Sequence, residues 1–174
     1  MRPFTKKQRG FSLMEVVIYT ALFVLISGAT VDAIIMTTRA FSNLRISRDI
    51  NDSAIKVMER LTRDVKNATS IDLAQSTFSA TPGRLTLNTL SATGTPVIIE
   101  YYVATTTGQL RLKENGVDKG SLMSAKTQVD ALVFYLISTA QTSGVKTELH
   151  LRSSRGAVQD QDHFYNTSML RGTY

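Results

Sequence analysis

The chain has no cysteine, two histidines and three prolines among 174 residues. Without cysteine there is no disulfide framework, no zinc–thiolate centre and no thiol nucleophile. Two histidines leave little material for general acid–base or metal chemistry. Proline is missing between Pro3 and Pro82, so nothing in that stretch interrupts a helix. Charge of one sign is also missing from most of the chain. The formal net charge is +6, but Arg2, Lys6, Lys7 and Arg9 put four positives and no acid in the first ten residues. Without them 16 basic residues face 14 acidic ones, and from Asp72 onward the count is nine against eight. A near-neutral body argues against a nucleic-acid-binding surface. The 43% hydrophobic content excludes bulk disorder, and the length suits one medium domain or a small domain with an appendage.

What is present begins with a long apolar run. Phe11 to Met36 carries only Glu15 and Asp32 as charged residues. As a helix, Phe11–Val31 reaches roughly 31 Å, matching a bilayer core of about 30 Å. With the basic residues before it, the positive-inside rule keeps the N-terminus cytoplasmic and the remainder extracytoplasmic. Three readings compete. An ordinary secretory signal would use Ser27-Gly28-Ala29 for cleavage, although Glu15 has no place in a disposable apolar segment. A plain anchor would leave Glu15 idle near the interface. The third reading comes from the motif Lys6-Lys7-Gln8-Arg9-Gly10, then Phe11-Ser12-Leu13-Met14-Glu15, then the apolar run. It resembles the prepilin-type signal of the type IV pilin and type II secretion pseudopilin superfamily.

That resemblance implies cleavage by a prepilin peptidase between Gly10 and Phe11 and N-methylation of Phe11. It makes Lys6, Lys7 and Arg9 leader-recognition residues and Glu15 an assembly residue. The basic leader would be removed and the helix retained.

Helical periodicity continues past the apolar run. Ile46, Ile50, Ala54, Val57, Leu61, Val65 and Ala68 recur at steps of three and four, one apolar stripe on an amphipathic helix. Asp52 with Lys56, Glu59 with Arg63 and Arg60 with Asp64 are spaced four apart and read as the solvent face. A helix from about Ser12 to Thr69 would be roughly 87 Å long, more than a membrane needs. Its second half therefore docks on protein.

The partner follows in sequence. Leu85–Leu87, Val97–Val103, Gln109–Lys113, Ala131–Leu136 and the alternating Val145–Leu151 read as strands. Asn115-Gly116 marks a hairpin with a type I′ turn. The expected fold is α+β, a long N-terminal helix packed on an antiparallel sheet. Residues 1–10 are then the leader, 11–36 the transmembrane half of the helix, 37–71 its amphipathic half and 72–174 a β-rich extracytoplasmic domain. Glu100–Val103, Gly108–Leu112, Leu132–Tyr135 and Thr147–Leu151 resemble the body of J-type minor pseudopilins and minor pilins. Arg60–Ala68 resembles their helix end, and Phe164–Arg171 their last strand. Major pilins commonly carry a proline where this chain has Asp32, and many close a C-terminal disulfide, so a minor subunit fits better.

That family makes the expected partners the prepilin peptidase, other pilin or pseudopilin subunits and inner-membrane lipid. The implied function is to initiate or cap a filament. The alternative is a pilus-tip module that binds DNA or a surface, with Tyr101, Tyr102, Phe134, Tyr135, Phe164 and Tyr165 as a stacking platform. Because these aromatics come in adjacent pairs on strands, one of each pair should face the core. No enzymatic role, cofactor or nucleic-acid partner is expected. Asp160 and Asp162 are the only metal candidates, and two side chains fall short of the six to eight oxygens that calcium takes. His150 reads as a solvated surface histidine between Glu148 and Arg152.

Overall fold

The computed structural model describes residues 12–138, 142–156 and 158–171. The chain divides into two compact units, Met1–Phe41 and Ser42–Tyr174. One helix, α1 (Leu13–Asn67), contributes to both. It starts just after Ser12, whose carbonyl accepts from the Glu15 and Val16 amides at 3.0 and 3.2 Å. Lys66 lies in its last turn, where a cation complements the helix dipole.

The second unit is built on a meander. Strands β1 (Ala68–Ile71), β2 (Leu85–Leu90), β3 (Pro96–Ala104), β4 (Gln109–Glu114) and β5 (Val117–Ser121) form an antiparallel sheet in sequence order. Strands β6 (Thr127–Ser138), β7 (Ser143–Arg155) and β8 (Val158–Met169) form a second antiparallel sheet. The α+β expectation therefore holds, with two sheets where the sequence suggested one. Backbone bonds stitch β6 to neighbouring segments: the Val129 amide donates to the Gly108 carbonyl, and Gly83 and Ser79 donate to Leu132 and Phe134, all within 2.8 Å. The β4–β5 turn is the expected one. Asn115 and Gly116 both have positive φ, 50° and 79°, as a type I′ turn requires.

The core takes one face from each element. Ile46, Ile50, Ala54, Val57, Leu61, Val65 and Ala68 are all buried, so the periodic stripe is the buried stripe. They join one cluster with Leu85, Leu87, Tyr101, Leu110 and Leu112 from the larger sheet and Leu132, Phe134, Leu149 and Leu151 from the smaller. Register explains the match. Leu85, Tyr101 and Leu112 stand opposite one another across β2, β3 and β4, while Leu132, Leu149 and Phe164 do so across β6, β7 and β8. The aromatic pairs divide as alternation demands, Tyr101 and Phe134 inward and Tyr102 and Tyr135 half-exposed.

Two expectations are corrected. Residues 68–71, read as helix, form β1, because Asn67 ends α1 by accepting the Thr89 hydroxyl on its carbonyl at 3.0 Å while Ala68–Ile71 pair with β2. Asp64 is not on the solvent face. It is buried, held there by Tyr101 and Arg60. Asp160 and Asp162 lie within β8.

Candidate functional site

In the first unit, α1 presents its apolar side chains outward on every face. Leu13, Met14, Phe23, Val24, Leu25, Ile26 and Met36 are each at least 65% exposed. A helix apolar all round has no self-made core and is suited to lipid or to other helices. This is the one helix long and apolar enough to cross a membrane among the described residues. Four of its hydroxyls are satisfied within the helix. The hydroxyls of Thr20, Thr30, Thr37 and Thr38 donate to carbonyls one turn back, at 2.8–2.9 Å. That removes the penalty of free hydroxyls in an apolar medium.

Two acids bracket the uncharged stretch. Glu15, half-buried in the first turn, accepts the Tyr19 hydroxyl on Oε1 at 3.2 Å, so a helix neighbour already holds its carboxylate in place. Asp32 is exposed, and its neighbours one turn away, Gly28, Ala29, Ile35 and Met36, offer it no charge. The two carboxylates are about 25 Å apart along the axis. Gly10 and Phe11, the expected cleavage and methylation positions, and Lys6, Lys7 and Arg9, the expected leader-recognition residues, lie outside the described residues.

In the second unit, polar contacts fix how α1 docks. The Tyr101 hydroxyl donates to Asp64 Oδ2 at 2.6 Å, and Arg60 Nε donates to the same oxygen at 2.8 Å. Arg60 also reaches Glu114 Oε1 at 3.2 Å, joining helix to β4. Burial, then the adjacent Asp64 carboxylate, pushes the Tyr101 phenol well above the usual tyrosine range. The bond to Asp64 holds Arg60 above its ordinary value. Further along, the Ser124 amide donates to Ser53 Oγ at 3.2 Å, and Asn166 Nδ2 donates to Thr62 Oγ1 at 2.6 Å. The helix is thus bonded to both sheets.

Asp160 and Asp162 do not converge on an ion site. Each carboxylate accepts the next residue's amide, Gln161 at 2.9 Å and His163 at 2.8 Å. They pair with Ser153 and Leu151, on the face of the smaller sheet that carries the core. β8 is an edge strand of its sheet, and exposed charges on an edge strand discourage pairing with a foreign strand. Among the described residues no three His, Asp or Glu side chains cluster as metal ligands.

The outer face holds an arrangement that sequence reading did not find. His150 on β7 and His163 on β8 are directly opposed, and their rings stack at 3.9 Å with an angle of 3° between planes. The chain's only two histidines therefore form one pair. Locating the Arg155–Val158 turn and counting outward along the two strands would have revealed it.

No protein-family model, curated protein or solved structure matches this chain.

Proposed function

We propose that the chain is a minor pilin or pseudopilin, a structural subunit that helps to initiate or cap a type IV pilus-like or type II secretion filament. The supporting observation is the contrast along α1. Its second half buries one stripe in a core, whereas its first half leaves every large apolar side chain open and carries a carboxylate near the start. A retained apolar helix can be covered by lipid before assembly and by the helices of sister subunits afterwards.

On this reading the N-terminus faces the cytoplasm, the β-rich unit is extracytoplasmic, and the prepilin peptidase cuts between Gly10 and Phe11. The new N-terminal ammonium, methylated but still cationic, pairs with Glu15 of a neighbouring subunit. An isolated carboxylate in hydrocarbon is costly, and the pair neutralises both groups while setting the axial register.

Two measurements test this. Mass spectrometry of the chain from its native host should show 164 residues beginning with N-methylated Phe11, the leader of ten removed. A start at Thr30 would establish ordinary signal cleavage instead. Glu15→Val should leave processing and membrane insertion intact while the variant is lost from the sheared-fibre fraction. Wild-type levels of the variant in fibres would refute an assembly role for Glu15.

A further inference from the structure

We propose that His150 and His163 form a two-imidazole binding site for a borderline transition-metal dication such as Cu²⁺, Ni²⁺ or Zn²⁺. The pair belongs to the second unit and is independent of whether the chain assembles into a filament.

The pair is pre-positioned by the strands that carry it. β7 and β8 are paired over twelve positions, from Gly144–Met169 to Arg155–Val158, and the His150–His163 position lies in the interior of that ladder. Backbone register thus fixes both Cα atoms, and the stack holds the rings parallel at 3.9 Å. The two imidazoles therefore stand side by side on one face of the sheet. Two nitrogens bound to one ion at about 2.0–2.1 Å sit roughly 3 Å apart. Each imidazole lone pair lies in its ring plane, so the stacked rings aim theirs side by side, and side-chain rotation that turns the two planes toward each other would bring one nitrogen of each to a single metal while the strand register is kept.

The surroundings leave the rings open. His163 is exposed and His150 half-exposed. The residue opposite His150 on β6 is Ala131, which has nothing beyond Cβ to cover the rings. The charged residues flanking His150 on β7 are already paired, Glu148 with Lys146 at 2.8 Å and Arg152 with Asp130 at 3.4 Å. The residues flanking His163 on the same face, Gln161 and Tyr165, are neither carboxylates nor amines. The nearby cations Lys146 and Arg152 thus each have a carboxylate partner.

The donor set decides its class. Imidazole nitrogen favours copper, nickel and zinc, whereas calcium and magnesium require oxygen. Two protein ligands leave the remaining coordination positions to water. Protons compete with the metal for the same nitrogens, so binding weakens in acid.

The test uses the full chain in detergent, with CuCl₂ and ZnCl₂ as separate probes. Electron paramagnetic resonance reads the nitrogens on Cu²⁺, and calorimetry reads Zn²⁺ affinity. His150→Gln and His163→Gln are the variants, and both must match the wild type in thermal unfolding without metal. The double variant measures background binding at the N-terminal amine and elsewhere. The expected result is one ion per chain above that background, with two equivalent nitrogens on copper. Either single variant should bind ~10-fold or more weakly, because the second imidazole acts at high effective concentration. Metal should raise the unfolding temperature of the wild type and of neither variant. Single variants that bind as tightly as wild type, a one-nitrogen copper signal, or displacement of zinc by millimolar calcium would each overturn the proposal. If a glutamine variant fails the folding check, His163→Asn or His150→Asn replaces it under the same criteria.

Discussion

Tyr101→Phe tests whether the Tyr101–Asp64 bond holds α1 on the larger sheet. Tyr101 is fully buried, and its hydroxyl lies 2.6 Å from Asp64 Oδ2, which also accepts Arg60 Nε. Phenylalanine fills the same space and removes only the donor, leaving the buried carboxylate with Arg60. Hydrogen bonds to charged groups contribute about 1.5–3 kcal/mol, so the loss should be about 2 kcal/mol at neutral pH. The second unit spans Ser42–Tyr174. At roughly 2.1 cal/mol/K per residue, 1 kcal/mol shifts its midpoint by about 3.6 °C, and the variant should melt about 7 °C lower.

Alkali supplies an independent signature. The phenol of the folded chain is held above its ordinary value of 10.0, first by burial and then by Asp64, so above pH 10 the unfolded chain ionises first. Wild-type stability then falls with rising pH by about 1.4 kcal/mol per pH unit from this group, whereas the phenylalanine variant has no such group to lose. The two curves should meet roughly 1.5 pH units above 10, since a 2 kcal/mol advantage is erased at that slope. Urea unfolding of a Thr37–Tyr174 fragment, followed by circular dichroism from pH 7 to 11.5, measures both quantities. A gap below about 0.5 kcal/mol at pH 7, or one that stays constant up to pH 11.5, would refute the reasoning.

Three further outcomes are expected. A fragment beginning at Thr37 keeps every buried residue of α1 and should be soluble and fold cooperatively; one beginning at Asp72 exposes Leu85, Leu110, Phe134 and Leu149 and should aggregate, as gel filtration will show. Gly144→Ala should destabilise by about 1–3 kcal/mol in urea titrations, because the new Cβ meets the Met169 sulfur and lies 2.8 Å from the Ser168 carbonyl. The Lys146 ammonium, hydrogen-bonded to Glu148, holds that carboxyl below its ordinary range. A depressed folded value stabilises above the unfolded pKa and is lost as pH falls through the folded one. Glu148→Gln should therefore lower the melting temperature at pH 7 and make no difference at strongly acidic pH.

How much could be read in advance depended on the range of the interactions. The stripe from Ile46 to Ala68 was legible because helical geometry alone puts residues three and four apart on one side. The Asn115-Gly116 turn was legible because few residue pairs accept positive φ twice. Asp64 was misplaced on the solvent face by the same logic. A carboxylate at the margin of an apolar stripe is buried only if a partner waits across the interface, and Tyr101 is 37 residues away in sequence. Sequence pattern also gave no way to divide the strands into two sheets, since alternation reports a buried face and not a neighbour.

By itself the sequence determined an apolar N-terminal helix bracketed by Glu15 and Asp32, its amphipathic continuation and the strand segments that follow. All of these rest on local periodicity and the chemistry of single residues. Only the tertiary structure decided that Asp64 meets Tyr101, that Asp160 and Asp162 lie on an edge strand, and that His150 faces His163. Each depends on strand register or on helix-to-sheet docking. Those are set by how whole faces fit together, which no window of sequence contains.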